Sequence, residues 1–311
     1  MKIIIAADLH LCVDLAKEMR ETTALLPEGF YAPVREGRVY WHNEMLVERM
    51  GEMMKALGRI IARARPDLCV FLGDMVNTNW ADNVAGFKKA RDAFPIPAAM
   101  VLGNHDIYLD APDCRLEKVF AFEPGMRCML DDGIGLVFWD TLIKRDGKYF
   151  PSLGNKRTGR VEYRPEDLRK TLALMEQNKE KDFLVLGHFP ICEPDQRIQA
   201  EGRKMMRNFR PEAMVFIEEL QKKKNFLGFV AGHQHFNHLQ FLRPGFHWTL
   251  PSLCEYPCAC AVLEVQHGMA RGRLEIADAF LAETSLGGGG EKWPYGSEEE
   301  RFFEYRSGIG R

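Results

Sequence analysis

The segment AGHQHFNHL, residues 231–239, places His233, His235 and His238 within six positions of a chain that holds nine histidines in all. Imidazoles spaced this closely on a loop can ligate cations or exchange protons near neutral pH. Comparable residues stand just beyond other apolar runs. Asp8 and His10 follow KIIIA, Asp74 follows LCVFLG, Asn104 and His105 follow AAMVLG, and His188 follows FLVLG. A donor set of carboxylates, imidazoles and an amide, with no thiolate, suits Mn²⁺, Fe or Zn²⁺. Two such cations roughly 3.5–4 Å apart clamp an in-line displacement at phosphorus and ionise a water between them near neutral pH. A bridging carboxylate offsets the repulsion between the cations, and neutral imidazoles fill the remaining positions without excess charge. Taken singly, each residue also has an ordinary structural role. Asp8 and Asp74 could cap helices, Asn104 and Asp106 could form turns, and His10 or His188 could be hydrogen-bonded core histidines. Their joint recurrence after strands is what points to a single site.

The elements that must position them are legible as hydrophobic pattern. KIIIAADLH, DLCVFLGDMVN, PAAMVLGNHD, GIGLVFWDT, DFLVLGHFP and NFLGFVAGHQH read as strands buried on both faces. Between them, residues 44–65 carry Met45, Leu46, Met50, Met53, Leu57, Ile60 and Ile61 at helical spacing, and Pro66 stops that helix. Residues 164–181 and 210–224 repeat the theme, each with proline near the helix start. Alternating strands and helices make an α/β domain, whose ligands gather at the carboxyl ends of its strands.

Three regions break the rhythm. Residues 11–43 form a long insertion after the first strand, expected to act as a lid or binding loop. FHWTLPSL, ACAVLEVQH and ARGRLEIADA follow one another without helices, which predicts an antiparallel edge. From residue 281 a glycine-rich joint leads into a tail with Trp293, Tyr295, Phe302, Phe303 and Tyr305, aromatic enough to dock on the body or a partner subunit. The expected division is one domain over 1–280 and a joint with tail over 281–311.

Composition narrows the partners. The 311 residues are 46% hydrophobic and 28% charged, enough for a large core. A net charge of −2 gives no strong positive field for nucleic acid or an anionic membrane. No apolar run reaches the roughly 18–20 residues of a membrane span, and Asp8 interrupts MKIIIAADLH, so a cytoplasmic location is expected. Eight dispersed cysteines read as buried free thiols. CEYPCAC lacks a fourth ligand and the paired spacing of a zinc site, and Cys258 and Cys260 are expected to fill one apolar face.

DLH, GDMVN, GNHD, GH and GHQH, in this order from residue 8 to 235, resemble the five signature blocks of the calcineurin-like metallophosphoesterases. The resemblance implies a four-layer α-β-β-α sandwich with mixed sheets and a dinuclear site at strand C-terminal ends. It implies that Asp8, His10 and His235 hold the first metal, that Asp74 bridges, and that Asn104, His188 and His233 complete the second. The pair would be divalent or mixed-valence Mn, Fe or Zn. His105 would bind no metal and would protonate the leaving alkoxide. His238 lies outside the blocks, near the ligands or on the surface, and Asp106 is expected to orient its loop.

Departures from relatives matter. GDMVNTN lacks the Asp and Arg of the Ser/Thr phosphatases, and no tyrosine ligand of the purple acid phosphatase type follows Asp74. Val76 and the short tail do not match the DNA-repair nucleases. Asn77 stands where many relatives place an aspartate that holds the catalytic histidine, so its amide is expected to hold His105. The motif style is closest to small bacterial phosphohydrolases related to class III cyclic nucleotide phosphodiesterases. That implies a phosphodiesterase on a small phosphoester, cyclic nucleotides among the candidates. A phosphomonoesterase, a nucleotide pyrophosphatase and a non-catalytic scaffold are the alternatives. In the insertion, Tyr31, Arg35, Arg38, Tyr40, Trp41 and His42 either offer stacking and phosphate contacts, or Phe30, Tyr31 and Trp41 pin the loop to the body. A homo-oligomer through edge strands or tail stays open.

Overall fold

The computed structural model describes the chain outside residues 27–29, 32–33, 36–37, 110–113, 141, 146–147, 152–163, 197, 199–210 and 308–311. The first half alternates as the apolar pattern requires: β1 (Lys2–Ala6), α1 (Leu15–Thr22) within the insertion, α2 (Met50–Ala64), β2 (Leu68–Leu72), α3 (Ala81–Asp92) and β3 (Ala98–Val101). The second half begins with a hairpin of β4 (Met126–Asp131) and β5 (Ile134–Trp139), turned at Gly133 with φ 76°. It continues with α4 (Pro165–Gln177), β6 (Asp182–Gly187), α5 (Pro211–Gln221), β7 (Phe226–Ala231), β8 (His238–Phe241) and β9 (Phe246–Thr249). The chain then adds β10 (Ala259–Gln266), β11 (Met269–Ile276), α6 (Ala279–Leu286) and β12 (Phe302–Arg306).

Two six-stranded mixed sheets result, ordered β12-β11-β10-β1-β2-β3 and β8-β9-β7-β6-β5-β4. Strand alternation explains the layering. Ile3, Ile5, Val70 and Leu72 of the first sheet meet Leu136, Phe138, Leu184, Leu186 and Val230 of the second in one shared core. Their neighbours Ile4, Cys69 and Phe71 turn outward beneath α2 and α3, while Val137, Phe183, Val185 and Phe229 face α4 and α5. The arrangement is therefore the four-layer α-β-β-α sandwich, and its central strands are buried throughout except at Lys2, the first residue of β1. Among the described residues, no helix is long and apolar enough to cross a membrane. All eight cysteines are free, and Cys254, Cys258 and Cys260 share one core cluster.

The pattern misled in two places. The helix expected from residue 44 starts at Met50, because Glu44–Met45 pairs with Val39 and Tyr40 in a small sheet of the insertion. Leu46 N–H donates to the Cys254 carbonyl at 2.6 Å, which commits this stretch to the body before the helix begins. The antiparallel edge is also divided. Only β10 and β11 are antiparallel beside β1, whereas β9 runs parallel to β7 in the other sheet. Among the described residues, β4, β8 and β12 are strands that the pattern did not show, being short or solvent-facing on one side.

The tail docks on the body. β12 pairs antiparallel with β11, and Tyr305 Oη accepts from the Gly245 N–H at 2.7 Å. Phe303 is only 4% exposed and its ring lies 5.0 Å from Trp248 and 5.2 Å from Phe246. Phe303→Ala should therefore cost about 3–5 kcal/mol of stability, read as a lower urea midpoint. A variant as stable as wild type would show that the tail is not part of the cooperative fold.

Candidate metal centre

Each of five strands ends in a turn that aims a polar side chain at one place. The turns are unusual. Asp8, His10, Asp74, His233 and His235 all take left-handed backbone, with φ between 45° and 68°. Such residues cost about 1–3 kcal/mol each unless their surroundings hold them. Here the surroundings are backbone hydrogen bonds between the turns: Asp8 N to Gly73 O at 3.1 Å, His10 N to Asp74 O at 2.9 Å, and Gly232 N to His188 O at 2.9 Å. The glycines before the ligands make the approach feasible. A Cβ on Gly73 would fall 2.3 Å from His188 Nδ1, one on Gly103 2.4 Å from the Asp74 amide nitrogen, and one on Gly232 2.7 Å from Asp8 Oδ2.

The donors converge in overlapping groups: Asp8, His10 and His235; His10, Asp74 and His105; and Asp74, His188 and His233, with atoms inside each group no more than 4.8 Å apart. His10 Nε2 lies 3.2 Å from His235 Nε2, which in turn is 3.5 Å from Asp8 Oδ1. Asp74 Oδ2 stands 3.3 Å from His188 Nε2 and 3.7 Å from His10 Nε2. Asn104 sits beside them, its amide nitrogen 3.3 Å from Tyr108 Oη. Asn104 Oδ1 and His188 Nε2 are buried and accept or donate no hydrogen bond. Buried polar atoms of that kind are rare unless something else binds them. These orphaned donors, all nitrogen or oxygen, fit a pair of divalent cations.

Electrostatics agree. Burial pushes the Asp74 carboxyl up, but the imidazoles of His188 and His105 hold it well below the usual carboxylate range. Burial pushes His188 down, yet Asp74 beside it raises its pKa to about 9. His235 follows the same logic through Asp8 and Glu255 and reaches about 10. Burial keeps His10 and His233 well below their ordinary value, so both imidazoles are neutral.

His105 is held differently from the sequence expectation. Its Nδ1–H donates to the backbone carbonyl of Asn77 at 2.6 Å, since a carbonyl can only accept. The Asn77 amide turns away to Glu18 Oε1 at 2.8 Å. Glu18 is fully buried and also accepts from Cys12 Sγ, Tyr31 Oη and Asn83 Nδ2. Tyr31 thus ties the insertion to itself at Glu18, and Asn77 and Asn83 tie Glu18 to the body. Phe30 packs 5.3 Å from His105, and Trp41, half exposed, stands 6.4 Å from His235. Arg35 and Arg38 are exposed, and Arg38 pairs with Glu44 at 2.9 Å. Asp106 orients its loop as expected, accepting from Met75 N and Gly103 N at 2.9 Å, and burial beside Asp74 raises its carboxyl well above normal. His238 is buried rather than on the surface. Its Nδ1 meets Glu300 Oε1 of the tail at 2.7 Å, and it belongs to none of the three groups.

Sequence reasoning missed Glu255. It is fully buried and accepts from His235 Nδ1 at 2.7 Å. Burial raises its carboxyl, but His235 and His42 beside it hold the pKa near 2. The available signal was a lone acid inside the apolar stretch LCEYPCAC, where a charge needs a partner.

The chain matches the family model described as calcineurin-like phosphoesterase over residues 1–237. Among solved structures it is similar to a dimetal phosphatase from Danio rerio, at 13% identity and a TM-score of 0.65, with 89% of this chain and 96% of that chain covered. It is also similar to a purple acid phosphatase from yellow lupin (Lupinus luteus) seeds, at 12% identity and a TM-score of 0.52, with 90% of this chain and 52% of that chain covered. At these identities the likeness is one of fold. No curated protein sequence matches the chain.

Proposed function

Because the chain belongs to the calcineurin-like phosphoesterase family, we propose that it is a dinuclear phosphodiesterase acting on a small diester, with cyclic nucleotides the first class to test. Hydrolysis of phosphoric esters follows from the family. The substrate is our reading. Asp8, His10 and His235 would hold one ion, Asp74 would bridge, and Asn104, His188 and His233 would hold the other. Mn²⁺, Fe and Zn²⁺ all suit this donor set. Bound there, such a pair would neutralise phosphoryl oxygens and lower the pKa of the attacking water.

The protein's own residues do the rest. The Asn77 carbonyl fixes the proton on His105 Nδ1, which leaves Nε2 to face the substrate. From there a protonated His105 can stabilise the phosphoryl oxygens and protonate the departing alkoxide. The ligand turns, tied to one another through backbone, keep the donors placed before substrate arrives. Eight free thiols suit a reducing compartment such as the cytoplasm.

The preference for a diester rests on the resemblance of PDLCVFLGD, GNHD, LGHFP and GHQH to the phosphohydrolases related to class III cyclic nucleotide phosphodiesterases. The Danio rerio structure is named a dimetal phosphatase, which keeps monoester hydrolysis as the second reading. Turnover of bis-p-nitrophenyl phosphate against p-nitrophenyl phosphate, with Mn²⁺ and with chelator, separates them. We expect metal-dependent turnover that favours the diester. A preference for the monoester would transfer the reading to a phosphatase.

A further inference from the structure

The mechanism above leaves Glu255 without a task, although among the described residues no carboxylate is more completely enclosed. Its place explains what the insertion and the tail are for. Residues 251–258 cross behind the metal ligands between β9 and β10. Ser252 Oγ–H donates to the Asp8 carbonyl at 2.8 Å, and Leu253 N–H to the Ala7 carbonyl at 3.0 Å. The same segment receives the insertion through Leu46 N and Cys254 O, and α6 through Tyr256 N and Ser285 Oγ at 2.9 Å. At its centre, Glu255 Oε1 accepts from His235 Nδ1 at 2.7 Å, while Oε2 accepts from the Asn43 N–H at 3.0 Å.

Asn43 extends the chain of contacts to the tail. Its side chain donates to the Glu291 carbonyl at 3.0 Å and accepts from the Glu291 N–H at 2.9 Å. His42, 3.6 Å from Glu255 Oε1, packs edge-on to the ring of Trp293 at 4.9 Å. The insertion and the tail thus wall in the carboxylate from the side away from the ligands. A metal-binding imidazole gains basicity and a fixed orientation when its other nitrogen donates to a carboxylate.

We propose that Glu255 is the positioning residue of His235, an ionic back-wall that the insertion and the tail keep dry and that sets the affinity of the ion held by Asp8, His10 and His235. The proposal rests on the ligand assignment given under the proposed function. It predicts an asymmetric defect: the ion at Asp8, His10 and His235 weakens, and the ion at Asn104, His188 and His233 does not. Glu255→Gln keeps the shape and an acceptor oxygen but removes the charge.

Co²⁺ titration of the full-length protein, followed by its visible absorption and by metal analysis after dialysis, reads the two ions separately. For Glu255→Gln we expect one Co²⁺ bound as in wild type and the other about 10–100-fold weaker. Ser285→Ala, which loosens the same segment without touching His235, should lower the melting temperature and leave both affinities unchanged. Two ions of wild-type affinity in Glu255→Gln would overturn the proposal. So would a parallel loss of both ions that tracks the fall in melting temperature in both variants, since that marks a purely structural role. If wild type itself takes up no Co²⁺, the metal assignment fails rather than the role of Glu255.

Discussion

His105→Ala lowers kcat about 10²–10⁴-fold and leaves both metal ions in place. The two halves of this expectation have separate causes. The backbone N–H of residue 105, which donates to Asp74 Oδ1 at 2.8 Å, survives the substitution, so the Asp74 carboxylate keeps its orientation. The imidazole is lost, and with it the proton for the leaving oxygen. The loss should therefore depend on the leaving group. p-Nitrophenolate departs unaided and should suffer least, while an alkyl diester should lose the most. Because His105 lies within 4.8 Å of donor atoms of His10 and Asp74, geometry alone leaves a ligand role to be tested. Steady-state rates on one aryl and one alkyl diester, with metal analysis of the same preparations, decide it. Equal losses on both substrates together with a missing ion would make His105 a ligand.

Asp74→Asn removes both ions and brings activity down to that of the chelated wild type. Asp74 is the only carboxylate shared by two of the three donor groups among the described residues. Asparagine preserves its shape, tolerates the left-handed φ of 49° and can still accept from the His105 N–H. Only the charge is removed. Two cations a few ångströms apart lose the anion that offsets their repulsion, and both affinities collapse. The neighbouring His188 also loses the carboxylate that holds its pKa near 9. Metal content by elemental analysis is the check, with circular dichroism to confirm the fold. One ion retained at wild-type affinity would show that Asp74 serves a single metal and that another group bridges.

The positions of the proposed donors were legible because apolar runs of five or six residues announce strands, and the polar residue after each run has little reason to recur by chance. Asp8, His10, Asp74, Asn104, His188, His233 and His235 all come from such positions, and the structure brings their turns together. The contacts that support them were not legible. Glu255 lies in no repeat, and only the fold reveals that it stands behind His235. The identity of residue 77 misdirected the reading, because the atom that holds His105 is a backbone carbonyl and its side chain serves Glu18. Sequence reports side chains, and the accepting atom here belongs to the backbone. The stretch from 44 to 49 carried helical spacing, yet pairing with the insertion outweighed local propensity. β12 was read as a docking tail, but its register against β11 depends on long-range packing around Phe303 that no local pattern encodes.

The position of β1 has a consequence for how the protein is made. Ile3 pairs with Leu68 on one side and with Leu263 on the other, and the turn that follows is held by Ser252 and Leu253. A ribosome therefore releases Asp8 well before Ser252 and Leu253, which support its turn. Until β10 emerges β1 has one edge open, and pairing across such sequence distance is slow. The donor groups are complete only once His233 and His235 have emerged, and the interval before β10 pairs is when the nascent chain depends most on chaperones to shield that edge.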